Sequence, residues 1–328
     1  MIHQYISNGY HFVLDVNSGS VHVVDEQAYR VIPVVEKIIK EKAGAEVQPE
    51  EMAAEAADIL SGQEGREITA QDLQETVQEI LELKDAGMLF TEDIYEKYIG
   101  DFKNRQTVVK ALCLHIAHDC NLACKYCFAE EGEYHGRRAL MSFEVGKKAL
   151  DFLVANSGNR VNLEVDFFGG EPLMNWQVVK DLVNYGRSLE EPHHKKFRFT
   201  LTTNGVLLNE EVLEFVNREM ANVVLSIDGR KEVHDRMRPH RGGQGSYDEV
   251  VPKYQHVAES RNQMNYYVRG TFTHHNLDFA EDVRHLADLG FEQISVEPVV
   301  AADTEDYALR EEDVPQILEE YDKLALEY

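Results

Sequence analysis

The chain has 328 residues, with 33 Lys and Arg against 59 Asp and Glu, a formal net charge of −26. That surplus of carboxylates repels a phosphate backbone and an anionic bilayer, which excludes a general nucleic-acid binder and a polybasic membrane surface. At 43% hydrophobic and 28% charged the composition is globular, and the length asks for two domains or one barrel with an appendage. No apolar run approaches the roughly 18–20 residues of a membrane span. The opening Met1-Ile-His-Gln-Tyr5 has no basic stretch followed by an apolar one, so the chain reads as cytoplasmic, without a signal peptide.

Residues 1–105 carry nine basic and 21 acidic residues and no cysteine. Strand patterns at 2–5, 10–15 and 21–24 come first, with Asn17-Ser-Gly19 as hairpin chemistry between the last two. Helical patterns follow at 26–41, 49–60 and 70–86. Pro49 suits a helix start, and Gly87 ends the third helix after Leu73, Val77, Ile80 and Leu81 at helical spacing. Strands and then helices make residues 1–95 a small winged-helix-like α+β domain. The net charge of −12 over residues 1–105 weighs against DNA binding. Polar residues 96–107 read as a linker.

From residue 108 the pattern becomes strand–helix alternation. Strands are expected at 111–118, 160–168, 197–203, 223–228, 265–273 and 291–298. Helices are expected at 142–155, 176–189, 209–219, 247–261 and 278–289, with Ser142, Asn175, Asn209 and Asp278 at their starts. Six βα units imply a parallel sheet whose right-handed crossovers curl it into a partial (β/α)6 TIM-like barrel over 108–303. Functional residues then belong at the C-terminal strand ends. Residues 304–328 read as a C-terminal amphipathic helix.

Three of the four cysteines sit together in Cys120-Asn-Leu-Ala-Cys124-Lys-Tyr126-Cys127, directly after the first barrel strand. Three thiolates on one tight loop can each bind one iron of a cubane cluster and leave the fourth iron open to a chelating small molecule. The alternatives are a Cys3His zinc site using His115 or His118, which lacks the second half of a zinc finger, and a thioredoxin-like pair from Cys124 and Cys127. The fourth cysteine, Cys113, reads as a small buried hydrophobe. Gly169-Gly170-Glu171-Pro172 ends the second barrel strand about 40 residues on. Two glycines let backbone approach a ligand closely, and the carboxylate and carbonyls can hold an ammonium group; standing alone, the motif would be a turn. Thr202-Thr203-Asn204-Gly205 ends the third strand, Ser226-Ile227-Asp228-Gly229 the fourth, and Arg269 lies on the fifth. Several features take plainer readings. His234-Asp235-Arg236 with Arg238 is either a substrate-facing group or a solvated turn. Gly242-Gly-Gln-Gly245 lacks the lysine of a phosphate loop, and His193-His194-Lys195-Lys196 is an exposed loop.

The C-x3-C-x2-C run with an aromatic before its last cysteine resembles the radical S-adenosylmethionine (SAM) enzymes, over about residues 108–300. The resemblance implies one [4Fe-4S] cluster on Cys120, Cys124 and Cys127. It places SAM against Tyr126, Gly169, Gly170, Glu171, Pro172, Asn204, Ser226, Asp228, Arg269 and Glu297, with Glu171's motif on the amino group and Arg269 on the carboxylate. Ile294 joins Glu297 as a candidate beside the adenine. The N-terminal stretch, from Met1-Ile-His-Gln through Asn8-Gly-Tyr10 to Asp25, together with Leu112-Cys-Leu-His-Ile-Ala-His-Asp119, is similar to the SPASM-type maturases of six-cysteine ribosomal peptides. That likeness implies a leader-recognition domain that adds the precursor peptide as a strand, a flavodoxin- or ferredoxin-type electron donor, and a 5′-deoxyadenosyl radical that initiates Cys-to-α-carbon thioether formation. Those maturases also carry a cysteine-rich domain for auxiliary clusters. Here all four cysteines lie between 113 and 127, so residues 304–328 read as the start of such a domain, absent from the chain as given. The competing expectations are a sulfatase-maturase-like enzyme and a non-catalytic peptide-binding fragment.

Overall fold

The computed structural model describes residues 1–42, 47–102, 107–130, 132–134 and 136–327. The chain divides into two compact units, residues 1–106 and 107–328.

The first unit opens with strands β1 (Ile2–Ser7), β2 (Tyr10–Asp15) and β3 (Val21–Val24) in an antiparallel sheet of order β1-β2-β3. Ser7 pairs with Tyr10, so the first hairpin closes on two residues, Asn8 and Gly9, both with positive φ (49° and 80°). That is the mirror-image turn whose twist suits a hairpin. Helices α1 (Glu26–Glu41), α2 (Pro49–Glu64) and α3 (Ala70–Asp85) follow. Asp25 caps α1 through the Ala28 N–H, Pro49 opens α2, and a Thr69/Asp72 capping box opens α3. The second helix runs past its expected end because its stop signal is Gly65, in the left-handed region. Apolar faces meet around Val13, Val35, Ile38, Ala56, Leu60 and Val77. Asp15, fully buried, accepts from the Thr91 N–H and hydroxyl and from the Asn17 and Ser18 N–H groups, which ties the sheet to the segment after α3. The expected linker, 96–107, lies partly outside the described residues. Its described part holds a 3-10 turn (Glu96–Tyr98) and the short helix α4 (Ile99–Phe102).

The second unit contains β4 (Ala111–His118), β5 (Ala139–Leu140), α5 (Phe143–Asn156), β6 (Asn162–Gly169), α6 (Trp176–His193), β7 (Lys196–Thr203) and α7 (Glu210–Glu219). It continues with β8 (Met220–Ser226), α8 (Lys231–Met237), α9 (Tyr247–Ser260), β9 (Tyr266–Phe272), α10 (Phe279–Asp288), β10 (Ile294–Pro298) and α11 (Val314–Glu327). The sheet order is β10-β9-β8-β7-β6-β4-β5, parallel throughout except for β5 on β4. Each crossover steps to the next neighbour, giving the open six-strand βα barrel expected from the alternation. One face is a continuous apolar layer against the helices, including Leu114, Ile116, Val165, Phe167, Phe199, Leu201, Leu225 and Val268. The other face is polar: Cys113, Asp166 and Thr200 stand in register across β4, β6 and β7.

Two expectations are corrected. Cys113 is exposed, because alternation along β4 commits Leu112, Leu114 and Ile116 to the helix side and leaves Cys113 and His115 on the other. Residues 231–237 are a helix, not a solvated turn, and His234 on it is buried.

Candidate active site

Strand β4 delivers the thiol loop at its C-terminal end. The Cys120 sulfur accepts from the Leu122 N–H (3.4 Å) and from Asn204 Nδ2 (3.5 Å), while Asn204 Nδ2 also reaches Asn121 Oδ1 at 2.8 Å. The loop backbone is laced to the segment after α8. The Ala123 N–H donates to the Pro239 carbonyl and the Lys125 N–H to the Met237 carbonyl, each at 2.9 Å. Arg241 donates to the Cys120 carbonyl (2.8 Å) and the Asp119 carboxylate (2.9 Å). Burial, with the Glu171 charge behind it, pushes the Cys120 thiol up to about 12. Burial likewise pushes Cys124 up to about 11, against the pull of Arg238. Without a metal both therefore stay protonated near neutral pH, and a metal that binds them must displace the protons.

Cys120, Cys124 and Cys127 line one cleft of about 500 Å³, with Gly169 and Gly170 from the end of β6, Asn204 after β7, Ser226 at the end of β8, Arg269 on β9 and Glu297 on β10. A larger groove, about 780 Å³, lies in the first unit and carries none of these motif residues. The two glycines are required sterically. A Cβ on Gly169 (φ 128°) would stand 2.5 Å from the Ala117 carbonyl oxygen, and one on Gly170 would stand 2.1 Å from that of Asp119. The backbone of the second strand end is thus pressed against the root of the thiol loop.

Tyr126 lies under that loop in a buried network. Its hydroxyl donates to Asp228, 2.7 and 2.8 Å from the two carboxylate oxygens, and accepts from Arg238 Nη1 at 2.7 Å. Asp228 also accepts from the Thr271 N–H at 3.2 Å and faces Arg238 at 3.7 Å. Burial raises the Tyr126 phenol and, despite Arg238, the Asp228 carboxyl.

The sequence-expected residues therefore separate into two groups. Cys120, Cys124, Tyr126, Cys127, Gly169, Gly170, Asn204, Ser226, Arg269 and Glu297 share the cleft wall. Arg269 and Glu297 pair with each other. Glu171 and Asp228 turn away from it. Glu171 is fully buried, and its carboxylate accepts from the Leu173 N–H (2.9 Å), the Thr203 hydroxyl (2.8 Å) and the Asn204 N–H (2.8 Å). It caps the 3-10 turn Pro172–Asn175 and holds the end of β7, so the carboxylate expected at an ammonium group is occupied by the fold itself. Pro172 is buried as the first residue of that turn. Ile294 packs against the apolar core. Sequence reasoning left Arg238 open between a substrate-facing group and a solvated turn, and passed over the wall residues Phe128, Phe168 and Thr271. For Arg238 there was a signal: His234 and Arg238 are four apart, which puts them on one helical face.

Among the described residues, no three His, Cys, Asp or Glu side chains gather as a single metal ion requires. His118 stacks on Tyr134 and His115 packs tilted against it, with ring centroids 4.8 and 4.3 Å away. No helix among the described residues is long and apolar enough to cross a membrane.

Residues 114–277 match the Radical SAM superfamily. An uncharacterized protein of Methanocaldococcus jannaschii is 30% identical over 217 residues, covering 66% of this chain and 70% of that one. The radical SAM cyclopropyl synthase TigE of Paramaledivibacter caminithermalis is 25% identical, covering 53% of this chain and 39% of its own. A cysteine-type anaerobic sulfatase-maturating enzyme of Clostridium novyi is 29% identical, covering 40% and 36%. The chain thus spans well under half the length of those two named enzymes. Among solved structures, native anSMEcpe with bound AdoMet superposes with a TM-score of 0.59 at 20% identity, covering 67% of this chain and 61% of that one, a likeness of fold. With half its length matched by the family and the barrel in place, this chain belongs to the radical SAM superfamily.

Proposed function

We propose that the chain binds one [4Fe-4S] cluster through Cys120, Cys124 and Cys127, binds SAM in the adjoining cleft, and modifies a ribosomally made precursor peptide by Cys-to-α-carbon thioether crosslinks. The observation that carries the reading is the opening of three thiols from one loop onto the same cleft as the Gly169–Gly170 backbone, Asn204, Ser226 and Arg269. The donor set fits the group. Thiolate sulfur is the usual ligand of iron–sulfur clusters, and one loop supplies three cysteines to the cleft wall. The cleft is of small-molecule size. When bound, the cluster and SAM supply one-electron cleavage of the sulfonium bond and so the power to remove a substrate hydrogen.

This chain's own part is placement. The Gly169–Gly170 backbone offers carbonyls to an amino group, and Arg269, freed from Glu297, matches a carboxylate. Asn204 donates to the Cys120 sulfur, and Ser226 on the cleft wall would meet the ribose. Asp228 acts through Tyr126, and Glu171 and Pro172 act through the turn they build. Peptide as substrate class is supported by the kinship with TigE and by β3, which among the described residues pairs only with β2 and offers a strand edge to a leader. A flavodoxin- or ferredoxin-type protein is the proposed reductant. A sulfatase-maturase-like reading is favoured by the 29% identity to such an enzyme. It differs in having no use for leader capture by residues 1–95.

The test is anaerobic reconstitution with iron and sulfide, reduction, addition of SAM and detection of 5′-deoxyadenosine by mass, with Cys124→Ala beside the wild type. Product from the wild type alone is expected. Zinc in place of iron, or equal product from both, refutes the assignment. Deleting residues 1–95 should abolish binding of a precursor peptide while SAM cleavage persists.

A further inference from the structure

Arg238 is a buried cation with little on hand to balance it. Its side chain is 11% exposed, and among the described residues its carboxylate partner is Asp228 at 3.7 Å. Nη1 donates to the Tyr126 hydroxyl, and the buried Nε has no hydrogen-bond partner among the described residues. Asp228 is itself shared with Tyr126 and the Thr271 N–H. A buried charge left this poorly paired is costly, and the cost is recovered only if negative charge collects nearby. Arg238 shares the cleft wall with Cys120 and Cys124.

The guanidinium is also held rigidly. His234 Nδ1 accepts from the Asp228 N–H (3.4 Å), which leaves Nε2 to donate to the Ser246 hydroxyl (2.9 Å). That hydroxyl donates to the Arg238 carbonyl at 2.7 Å. The following residues pair with the thiol loop through Pro239 and the Leu122–His240 bridge. The charge is therefore built in at a fixed distance from the sulfurs.

We propose that Arg238 is a positioning residue that sets charge at the thiol loop: held by Tyr126 and Asp228, it offsets the negative charge of the ligating thiolates and raises the reduction potential of the cluster they bind. The proposal rests on the reading of that loop as the ligand of a [4Fe-4S] cluster. A positive charge near a cluster favours its reduced, more negative state, and an unpaired carboxylate opposes it.

The measurement is the midpoint potential of the reconstituted cluster, by anaerobic redox titration with spin-resonance detection, in the wild type, Arg238→Lys, Arg238→Met and Asp228→Asn. Iron content and circular dichroism establish equal loading and folding. Arg238→Met is expected to favour the oxidised state about tenfold, a shift of about 59 mV to more negative potential for one electron. Arg238→Lys should restore most of that difference, and Asp228→Asn should shift the potential the opposite way. Arg238→Met and Asp228→Asn each disturb the network around Tyr126 but change its charge in opposite directions, so a purely structural role would move the potential the same way in both. Shifts of the same sign, or an unchanged potential in Arg238→Met, would overturn the proposal. If Arg238→Met fails to load, Asp228→Asn decides alone: a positive shift supports the idea, and none, or a negative one, ends it. A wild type with no four-iron spectrum refutes the reading of the loop itself, which is a separate failure.

Discussion

The two faces of the parallel sheet follow opposite rules. On the helix side β4, β6, β7, β8 and β9 contribute apolar residues at under a tenth exposure, and Phe167 stacks on Phe199 at 5.5 Å between centroids. On the other side the same strands carry Cys113, His115, Asp166, Thr200, Thr202 and Arg269, none of them buried. A parallel sheet is ordinarily covered on both faces. A sheet that leaves one face wet and polar has a stability layer and a working layer, separated by one peptide unit along each strand. Substitutions one residue apart should then divide into those that unfold the chain and those that spare the fold.

The largest effect falls on the packed face. Phe167→Ala should cost about 3–5 kcal/mol by leaving a cavity beside Phe199, read as a drop in the urea midpoint; a loss below about 1 kcal/mol would mean that the layer repacks freely. At the rim of the working face, Gly170→Ala forces the second strand end off the Asp119 carbonyl. Displacement of the order of 1 Å should lower SAM cleavage about 100-fold while the urea midpoint changes far less than in Phe167→Ala. Equal losses of stability would erase the distinction between the layers.

A pH dependence sharpens it further. Burial, and then the neighbouring Arg238 charge, hold His234 at about 3, below its ordinary 6.5, so the folded state keeps it neutral. The unfolded chain takes up that proton as pH falls below 6.5. The His234 contribution is therefore complete above 6.5 and is lost progressively as pH falls toward 3. The urea midpoint of the wild type should drop more between pH 7 and pH 5 than that of His234→Gln; parallel curves would place the titration elsewhere. The smallest effect is expected for Thr202→Ala. It removes a partly exposed hydroxyl that donates to Asp166 at 3.2 Å, and its stability cost should stay near 0.5 kcal/mol or below.

Much of this was legible before any coordinates. The six parallel strands follow from short apolar runs alternating with helical periods, and β4 lies where its pattern placed it, at Ala111–His118. Most of the cleft wall was legible too, because the motifs stand at strand ends and a parallel barrel gathers all such ends on one rim. Glu171 was legible as part of a motif but not in its direction. Nothing local tells a carboxylate aimed at a ligand from one that three donors hold inside the fold. The helix Lys231–Met237 was missed because its seven residues span two turns, too few for a periodicity to declare itself, and because its charged composition matches a solvated loop.

By itself the sequence determined the chemistry that could occur: which residues are thiols, which strand ends carry two adjacent glycines, and which periods make strand or helix. Those properties are local, set by side-chain type and spacing of a few residues. Only the tertiary structure decided which of them meet. Tyr126, Asp228 and Arg238 are about a hundred residues apart in part and lie within hydrogen-bond or ion-pair distance in space. Whether a charge such as Arg238 is solvated or buried depends on what the rest of the chain folds over it, and no local pattern carries that information.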